Sequence, residues 1–374
     1  MLPAFSFQSL KKRNNLRWID LRSPSEYATD HVPWAENVPL FNDEQRAVVG
    51  TLYKEHSPDA AYLEGLKMIE KRLPQLLKQA LGQSIDSELL VSNFDILAQN
   101  LRGGIKDTPI DVNQPLTDAT EIVVYCWRGG MRSRSFASLL LSLGVRAVLL
   151  EGGYKSYRQW VMDSLDTFSY PPCIVLRGRT GVGKTNLLTE IEEAASNTTL
   201  CLESLAKHRS SALGAVGRDP VGQKMFESRL LQRLLELEPS SVFIEGESRK
   251  VGDVVIPEGL FAEMSNGVQL KITASREFRR RTLQDDYLAE PDAKQQIAGA
   301  LPFLESRIGA RWVGELQSLL EDGNYDALVD ILLDHYYDPL YDREDKKRQW
   351  ADELHRDDAQ IVERLITIYS RITA

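Results

Sequence analysis

Cysteine is scarce in this chain: three in 374 residues, at Cys126, Cys173 and Cys201. An odd number without metal-ligand spacing speaks against a disulfide framework or a cysteine-held metal, and favours a reducing compartment. Long apolar runs are also missing, and none approaches the ~20 residues of a bilayer-spanning helix. The opening stretch MLPAFSFQSLKKRNNLRW lacks the basic-then-apolar order of a signal peptide, so the expectation is a cytoplasmic protein with no membrane partner. Positive charge is in deficit, with a formal net of −9. That argues against a protein that coats nucleic acid non-specifically, but it permits a local basic face. Residues 275–281 (SREFRRR) and 207–209 (KHR) are candidates for one, and each also reads as a solvated helix face. No internal repeat or low-complexity tract occurs. What remains is ordinary globular composition in a chain long enough for two domains.

The most informative stretch is 123–135, VVYCWRGGMRSRS. Ile122 to Tyr125 is a β-branched and aromatic run without alternation, which predicts a buried parallel strand. Cys126 then falls at the carboxyl end of that strand, where open α/β sheets place their ligands. Gly129 and Gly130 let the backbone curl so that successive amides converge, and residues 136–143 supply a helix. Converging amides, a helix N-terminus and the cations Arg128, Arg132 and Arg134 favour a thiolate and hold an anion beside it. A lone cysteine after a strand is otherwise most often an inert small hydrophobe. The electropositive, glycine-bearing surroundings favour the reactive reading.

A second motif is more specific by spacing. Gly178-Arg179-Thr180-Gly181-Val182-Gly183-Lys184-Thr185 completes the G-x-x-x-x-G-K-[ST] phosphate loop. A short apolar strand at 173–176 precedes it and a helix from Asn186 follows. The glycines let amides wrap an anion, Lys184 adds a point charge, and the Thr185 hydroxyl is of the type that reaches a magnesium ion. Downstream, residues 241–247 read as another apolar strand ending in carboxylates. Glu245 or Glu247 is a candidate for a metal- or water-directing position, with Arg249 close behind; a solvated strand end is the competing reading.

Pro171-Pro172 marks a boundary, and the division falls near residue 167. The first domain, 1–166, starts with a buried strand at 17–21 and a short helix that Ser23 or Ser25 caps. An extended piece follows at 35–40. A helical insertion occupies about 42–118, with periodicity clearest at 62–81 and 88–100. Residues 151–157 read as a strand exit and connection. The second domain, 167–374, turns almost wholly to amphipathic helix from about 286. Its aromatic run at 336–341 suits core packing better than base stacking.

These residues also carry a resemblance. Ile19-Asp20-Leu21-Arg22-Ser23-Pro24-Ser25-Glu26-Tyr27, with His31-Val32-Pro33 and 35–39 (AENVP), resembles the opening signature of rhodanese domains, and Val124-Tyr125-Cys126 resembles their sulfur-carrying loop. Asp30 and Trp34 stand where that signature usually has glycine, and the loop is one residue longer than the usual sulfurtransferase form. With 45–54 (QRAVVGTLYK), the phosphate loop, 247–252 (ESRKVG) and Ile256-Pro257, essentially the whole chain is similar to the tRNA 2-selenouridine synthases. The resemblance implies an α/β protein. Its N-terminal part would be a rhodanese-like parallel sheet with a helical insertion, and its C-terminal part a P-loop NTPase-like domain with a helical terminal region.

The resemblance further implies a transferase acting on the anticodon loop of tRNAs for Lys, Glu and Gln that carry 2-thiouridine at the wobble position. Geranyl diphosphate and selenophosphate are the implied co-substrates. Sulfur would be alkylated to S-geranyl-2-thiouridine and then replaced by selenium carried on Cys126. On this reading Arg128, Gly129, Gly130 and Arg132 bind the selenium donor, residues 178–185 bind diphosphate, and Asp20 and Arg22 frame the Cys126 pocket or serve as a structural ion pair. The arginines of 275–281 are the candidate tRNA-backbone contact. Other readings stay open: a cysteine-dependent phosphatase, from the Cys126-x5-Arg132 spacing; a sulfurtransferase with a regulatory nucleotide-binding domain; a non-catalytic or regulatory nucleotide-binding protein with a rhodanese-like partner module; and a kinase.

Overall fold

A computed structural model describes residues 2–13, 15–82, 110–111, 122–237, 240–289, 291–345 and 348–373. The helix expected at 88–100 lies outside the described residues, as does much of the insertion's second half. The chain forms two compact units, Met1–Ser164 and Leu165–Ala374.

In the first unit, β1 (Leu2–Phe5), β2 (Arg17–Asp20), β3 (Glu36–Asn37), β4 (Ile110–Asp111), β5 (Ile122–Tyr125) and β6 (Ala147–Leu150) form one parallel sheet in the order β3-β2-β5-β6-β1-β4. All four residues of β5 are buried, as expected for an interior strand covered on both faces. One face carries a core of Ile19, Val124, Leu76, Leu77, Leu139 and Leu140. The other is aromatic: Phe7 packs on Trp18, Tyr157 and Trp160 with ring centroids 5.6, 4.9 and 4.6 Å away.

The insertion begins with helices Asp43–Glu55, Pro58–Glu70 and Leu73–Leu81. Asn42 and Gln45 cap the first reciprocally, and Ser57 accepts the Ala60 N–H to cap the second. The periodic run at 62–81 is therefore two helices. Pro74, placed in a first turn where its missing N–H is harmless, starts a new helix after Arg72. Two other expectations shift. The stretch at 151–157 is mostly the start of helix Gly153–Asp166, and the extended piece at 35–40 pairs only at β3.

In the second unit, β7 (Cys173–Arg177), β8 (Thr199–Leu200), β9 (Val242–Glu245), β10 (Lys250–Val251), β11 (Val254–Val255), β12 (Val268–Thr273) and β13 (Asp352–His355) are the described strands. Five of them form a parallel sheet in the order β13-β12-β7-β9-β8, while β10 and β11 make an antiparallel hairpin. Helices Ala293–Ile308, Glu315–Glu321 and Tyr325–Leu332 build a separate apolar cluster around Leu301, Leu304 and Leu316. The C-terminal part is thus not all helix: β13 returns to the sheet, and helix Ile361–Thr373 adds Ile361 and Leu365 to its core. Among the described residues no helix is long and apolar enough to cross a membrane.

Candidate active site

Cys126 follows β5 directly, and helix Met131–Ser142 starts after Gly130, five residues earlier than the apolar periodicity alone suggests. The turn between them is held against the next strand-to-helix junction. Tyr154 N–H donates to the Cys126 carbonyl at 2.9 Å, and Lys155 N–H to the Trp127 carbonyl at 3.0 Å. Gly129 and Gly153 both take positive φ, +66° and +60°. A Cβ on Gly153 would lie 2.4 Å from the Cys126 carbonyl oxygen, so only glycine permits this approach. The Cys126 sulfur is 3.2 Å from the Ser133 hydroxyl, which in turn donates to the Gly130 carbonyl. Ser133 is a site residue that the sequence reading passed over.

Although Cys126 is only 3% exposed, it lines a cavity of about 760 Å³ between its loop and the first two insertion helices. Arg128, Arg132 and Arg134 reach this cavity from the loop, and Arg46 and Lys54 from the first insertion helix. Its described lining includes no carboxylate. Glu26 lies behind it, bonded by Arg132 at 3.0 Å and near Arg46 at 3.5 Å. Burial alone would raise the Glu26 carboxyl, but Arg132, the Ser23 N–H and Arg46 together hold it below its ordinary value. Arg132 is therefore partly committed, whereas Arg128 is exposed and makes no ion pair among the described residues.

Asp20 and Arg22 do not line this cavity. They form a fully enclosed ion pair, 2.6 Å from Arg22 Nη2 to Asp20 Oδ2, with side chains 1% and 0% exposed. Arg22 also donates to the Asp30 carbonyl at 2.7 Å and stacks 3.8 Å from the Tyr154 ring centroid. Tyr154 closes the set by donating to the Asp30 carboxylate at 2.7 Å. So Asp30 serves as an anchor where the related signature has glycine, and its extended backbone makes no demand for one. Trp34, the other departure, packs with Phe7 and Trp18. The expectation that Asp20 and Arg22 frame the pocket gives way to the structural ion pair.

In the second unit, residues 178–183 join β7 to helix Lys184–Ala194 as an anion-cradling turn. Gly181 and Gly183 have φ of +83° and +74°. A Cβ on Gly178 would meet the Ile272 carbonyl oxygen at 2.3 Å. Lys184 folds back to donate to the Gly178 carbonyl at 3.0 Å. Its ammonium is opposed by burial, but Tyr341, Glu247, Glu203 and Glu245 outweigh this and raise its pKa. Arg179 contacts Asp338 at 3.4 Å, and Thr180 lies 3.4 Å from the Tyr341 hydroxyl. Val182 is buried in the sheet core.

Beyond the loop stands a carboxylate pair. Thr185 donates to Glu203 at 3.0 Å, and the Glu203 N–H donates to Glu245 at 2.5 Å. Burial, then Glu247, lifts Glu203 to about 7; burial, then Glu203 and Glu247, lifts Glu245 to about 8. Glu203 escaped the sequence reading because β8 has only two residues, although it too follows a strand end. Among the described residues no three His, Cys, Asp or Glu side chains converge to hold a metal ion. A magnesium ion would fit only with Thr185 and one of these carboxylates as ligands, with phosphate oxygens and water completing its shell and the ion neutralising phosphate charge. Arg249 is directed elsewhere, 3.7 Å from Glu258.

The arginines of 275–281 each have a carboxylate neighbour. Arg276 and Arg280 pair with Asp330, and Arg281 lies 3.3 Å from Glu277. Arg279, 7% exposed along its side chain, pairs with Asp338 at 2.5 Å and donates to the Thr180 carbonyl at 2.8 Å. It braces the phosphate loop, while Arg276, Arg280 and Arg281 keep part of their side chains exposed. Tyr337 is buried in the helical cluster, in keeping with core packing.

The molecule thus belongs to a definable class: an α/β enzyme with a cysteine-bearing rhodanese-type sheet in one unit and a P-loop domain in the other. Residues 171–370 match the family described as the tRNA 2-selenouridine synthase AAA domain, and residues 89–159 match the rhodanese-like domain. A tRNA 2-selenouridine synthase of Nitrosomonas europaea is 30% identical, covering 86% of this chain and 87% of its own. One of Hydrogenovibrio crunogenus is 29% identical over 90% of this chain and 91% of its own. The chain belongs to the tRNA 2-selenouridine synthase family and is a transferase.

Proposed function

We propose that this enzyme converts wobble 2-thiouridine in tRNAs for Lys, Glu and Gln to 2-selenouridine, in two stages. In the first, residues 178–185 bind the diphosphate of geranyl diphosphate, and Lys184 and Thr185 stabilise diphosphate as it leaves during S-alkylation. In the second, the Cys126 thiolate displaces geranyl thiol from C2 of the base, and the selenium of selenophosphate then displaces Cys126. Water cleaves the Se–P bond to leave 2-selenouridine and phosphate. Alkylation matters because a thiocarbonyl sulfur leaves poorly, whereas a thioether on an electron-poor carbon can depart as a thiol. The second stage balances without a net oxidant: S-geranyl-2-thiouridine, selenophosphate and water give 2-selenouridine, geranyl thiol and phosphate. The wobble base must leave the anticodon stack to reach either site, as single-stranded RNA loops allow.

The observation that carries this reading is the placement of Cys126 on a cavity with five cationic side chains and no carboxylate in its described lining. Such a site suits a thiol that must meet a phosphate-like donor. The test is mass spectrometry of nucleosides from 2-thiouridine tRNA incubated with the protein, geranyl diphosphate and selenophosphate. The intact chain should yield 2-selenouridine, and Cys126→Ser should stop at the S-geranyl nucleoside. Full selenation by Cys126→Ser would overturn the proposal.

A further inference from the structure

The cavity beside Cys126 has more apolar wall than a selenium-donating anion can use. Beyond the cationic loop it is bounded by Phe41, Val49, Tyr53, Tyr62, Leu66 and Ile69, contributed by and just before the helical insertion. Tyr53 is 52% exposed, so apolar surface stands open here where a packed core would hide it. Pockets for drug-sized ligands span roughly 300–1,000 Å³, and at about 760 Å³ this one has room for a nucleobase together with a hydrocarbon chain. Three of the cations, Arg128, Arg132 and Arg134, come from the loop, whereas the insertion helices contribute most of the hydrocarbon together with Arg46 and Lys54.

We infer that the helical insertion seats the geranyl chain of the alkylated base in this cavity, with the uracil ring at the Cys126 end. The inference rests on the two-stage reading above and adds a recognition role to it. Apolar contact with the chain separates S-alkylated thiouridine from its unalkylated precursor, so only a base that already carries a leaving group is held at the thiol. It also assigns chain and diphosphate to different units of the protein: the alkyl group of the intermediate here, the diphosphate of the donor at Lys184.

The test is calorimetric titration of the full-length chain with 2-thiouridine nucleosides S-alkylated by methyl, dimethylallyl and geranyl groups. Affinity should rise by roughly tenfold or more from methyl to geranyl, because each added buried carbon contributes. That gain should vanish in Val49→Trp or Leu66→Trp, which fill the cavity, and persist in Lys184→Ala. A flat series in the unaltered chain, or a gain that survives both filling substitutions, overturns the inference. The unaltered chain supplies the first of these outcomes even where a filled variant does not fold. A chain that binds all three nucleosides alike yet still makes 2-selenouridine sinks this inference alone. A chain that shows the length dependence but never makes 2-selenouridine sinks the two-stage reading and leaves the cavity standing.

Discussion

The molecule contains two strand-to-helix turns of the same topological kind with opposite electrostatic arrangements. After β5, the turn presents Cys126 to a cavity whose described lining holds five cations and no carboxylate, with Glu26 paired to Arg132. After β7, the turn holds one lysine among the carboxylates Glu203, Glu245 and Glu247. Both turns use glycines at positive φ, and both end at the N-terminus of a helix. The carboxyl ends of parallel strands supply the position, and the neighbouring side chains decide what chemistry that position supports. The first suits an incoming anion that meets a thiol. The second suits a phosphate whose charge a lysine shares, with carboxylates placed to take up protons or a cation.

Substitutions at the two turns should separate their roles. The largest effect belongs to Cys126→Ser, which should lower 2-selenouridine formation by about a thousandfold or more while S-geranyl nucleoside accumulates. Equal loss of both products in the nucleoside assay would merge the two turns into one site. Arg22→Ala should cost about 3–5 kcal/mol of stability by leaving Asp20 buried without its partner. A thermal unfolding midpoint close to that of the unaltered chain would return Asp20 and Arg22 to the list of pocket residues. Lys184→Ala should reduce S-geranylation by about 10²-fold or more, with selenation of pre-alkylated tRNA retained.

A smaller effect is expected from pH. Glu203 and Glu245 titrate above the ordinary carboxylate value of 4.5, at about 7 and about 8. Both are protonated in folded and unfolded chains at low pH. As pH rises through 4.5 the unfolded chain gives up these protons before the folded one, so stability falls until the folded groups have ionised near 8. Glu245→Gln should flatten the decline of the unfolding midpoint between pH 5 and 8. An unchanged slope would show that the carboxylates do not share a buried environment. The smallest effect is assigned to Arg281→Glu, which should alter tRNA affinity by less than about twofold, since a single exposed pair contributes little. A strong loss, with a shallower salt dependence, would establish this helix as a phosphate-backbone contact.

Much of both turns was legible in the linear chain. The run from Ile122 to Tyr125 reads as a buried strand because β-branched residues without alternation suit a sheet covered on both faces. The phosphate loop reads from spacing alone, since glycine, lysine and threonine at those intervals have few other uses. Helix starts were less legible. Arg132-Ser133-Arg134 is polar, so apolar periodicity hid the first turn of its helix, and the 62–81 run hid a break that Pro74 imposes.

By itself, then, the sequence determined the strands that lead into the two turns, the glycines of those turns, the cysteine and lysine at their ends and the family to which the chain belongs. Each of these is local, written within a few residues. Only the tertiary structure decided that Arg22 is consumed by Asp20, that Arg279 braces the phosphate loop, that Glu203 joins Glu245 beside Thr185, and that the insertion walls a cavity at Cys126. These pairings bridge gaps that range from a few residues to about a hundred, and a charged side chain announces its presence in a sequence but not its partner. Which cations remain available to a ligand is settled only when the fold has matched the others to their carboxylates.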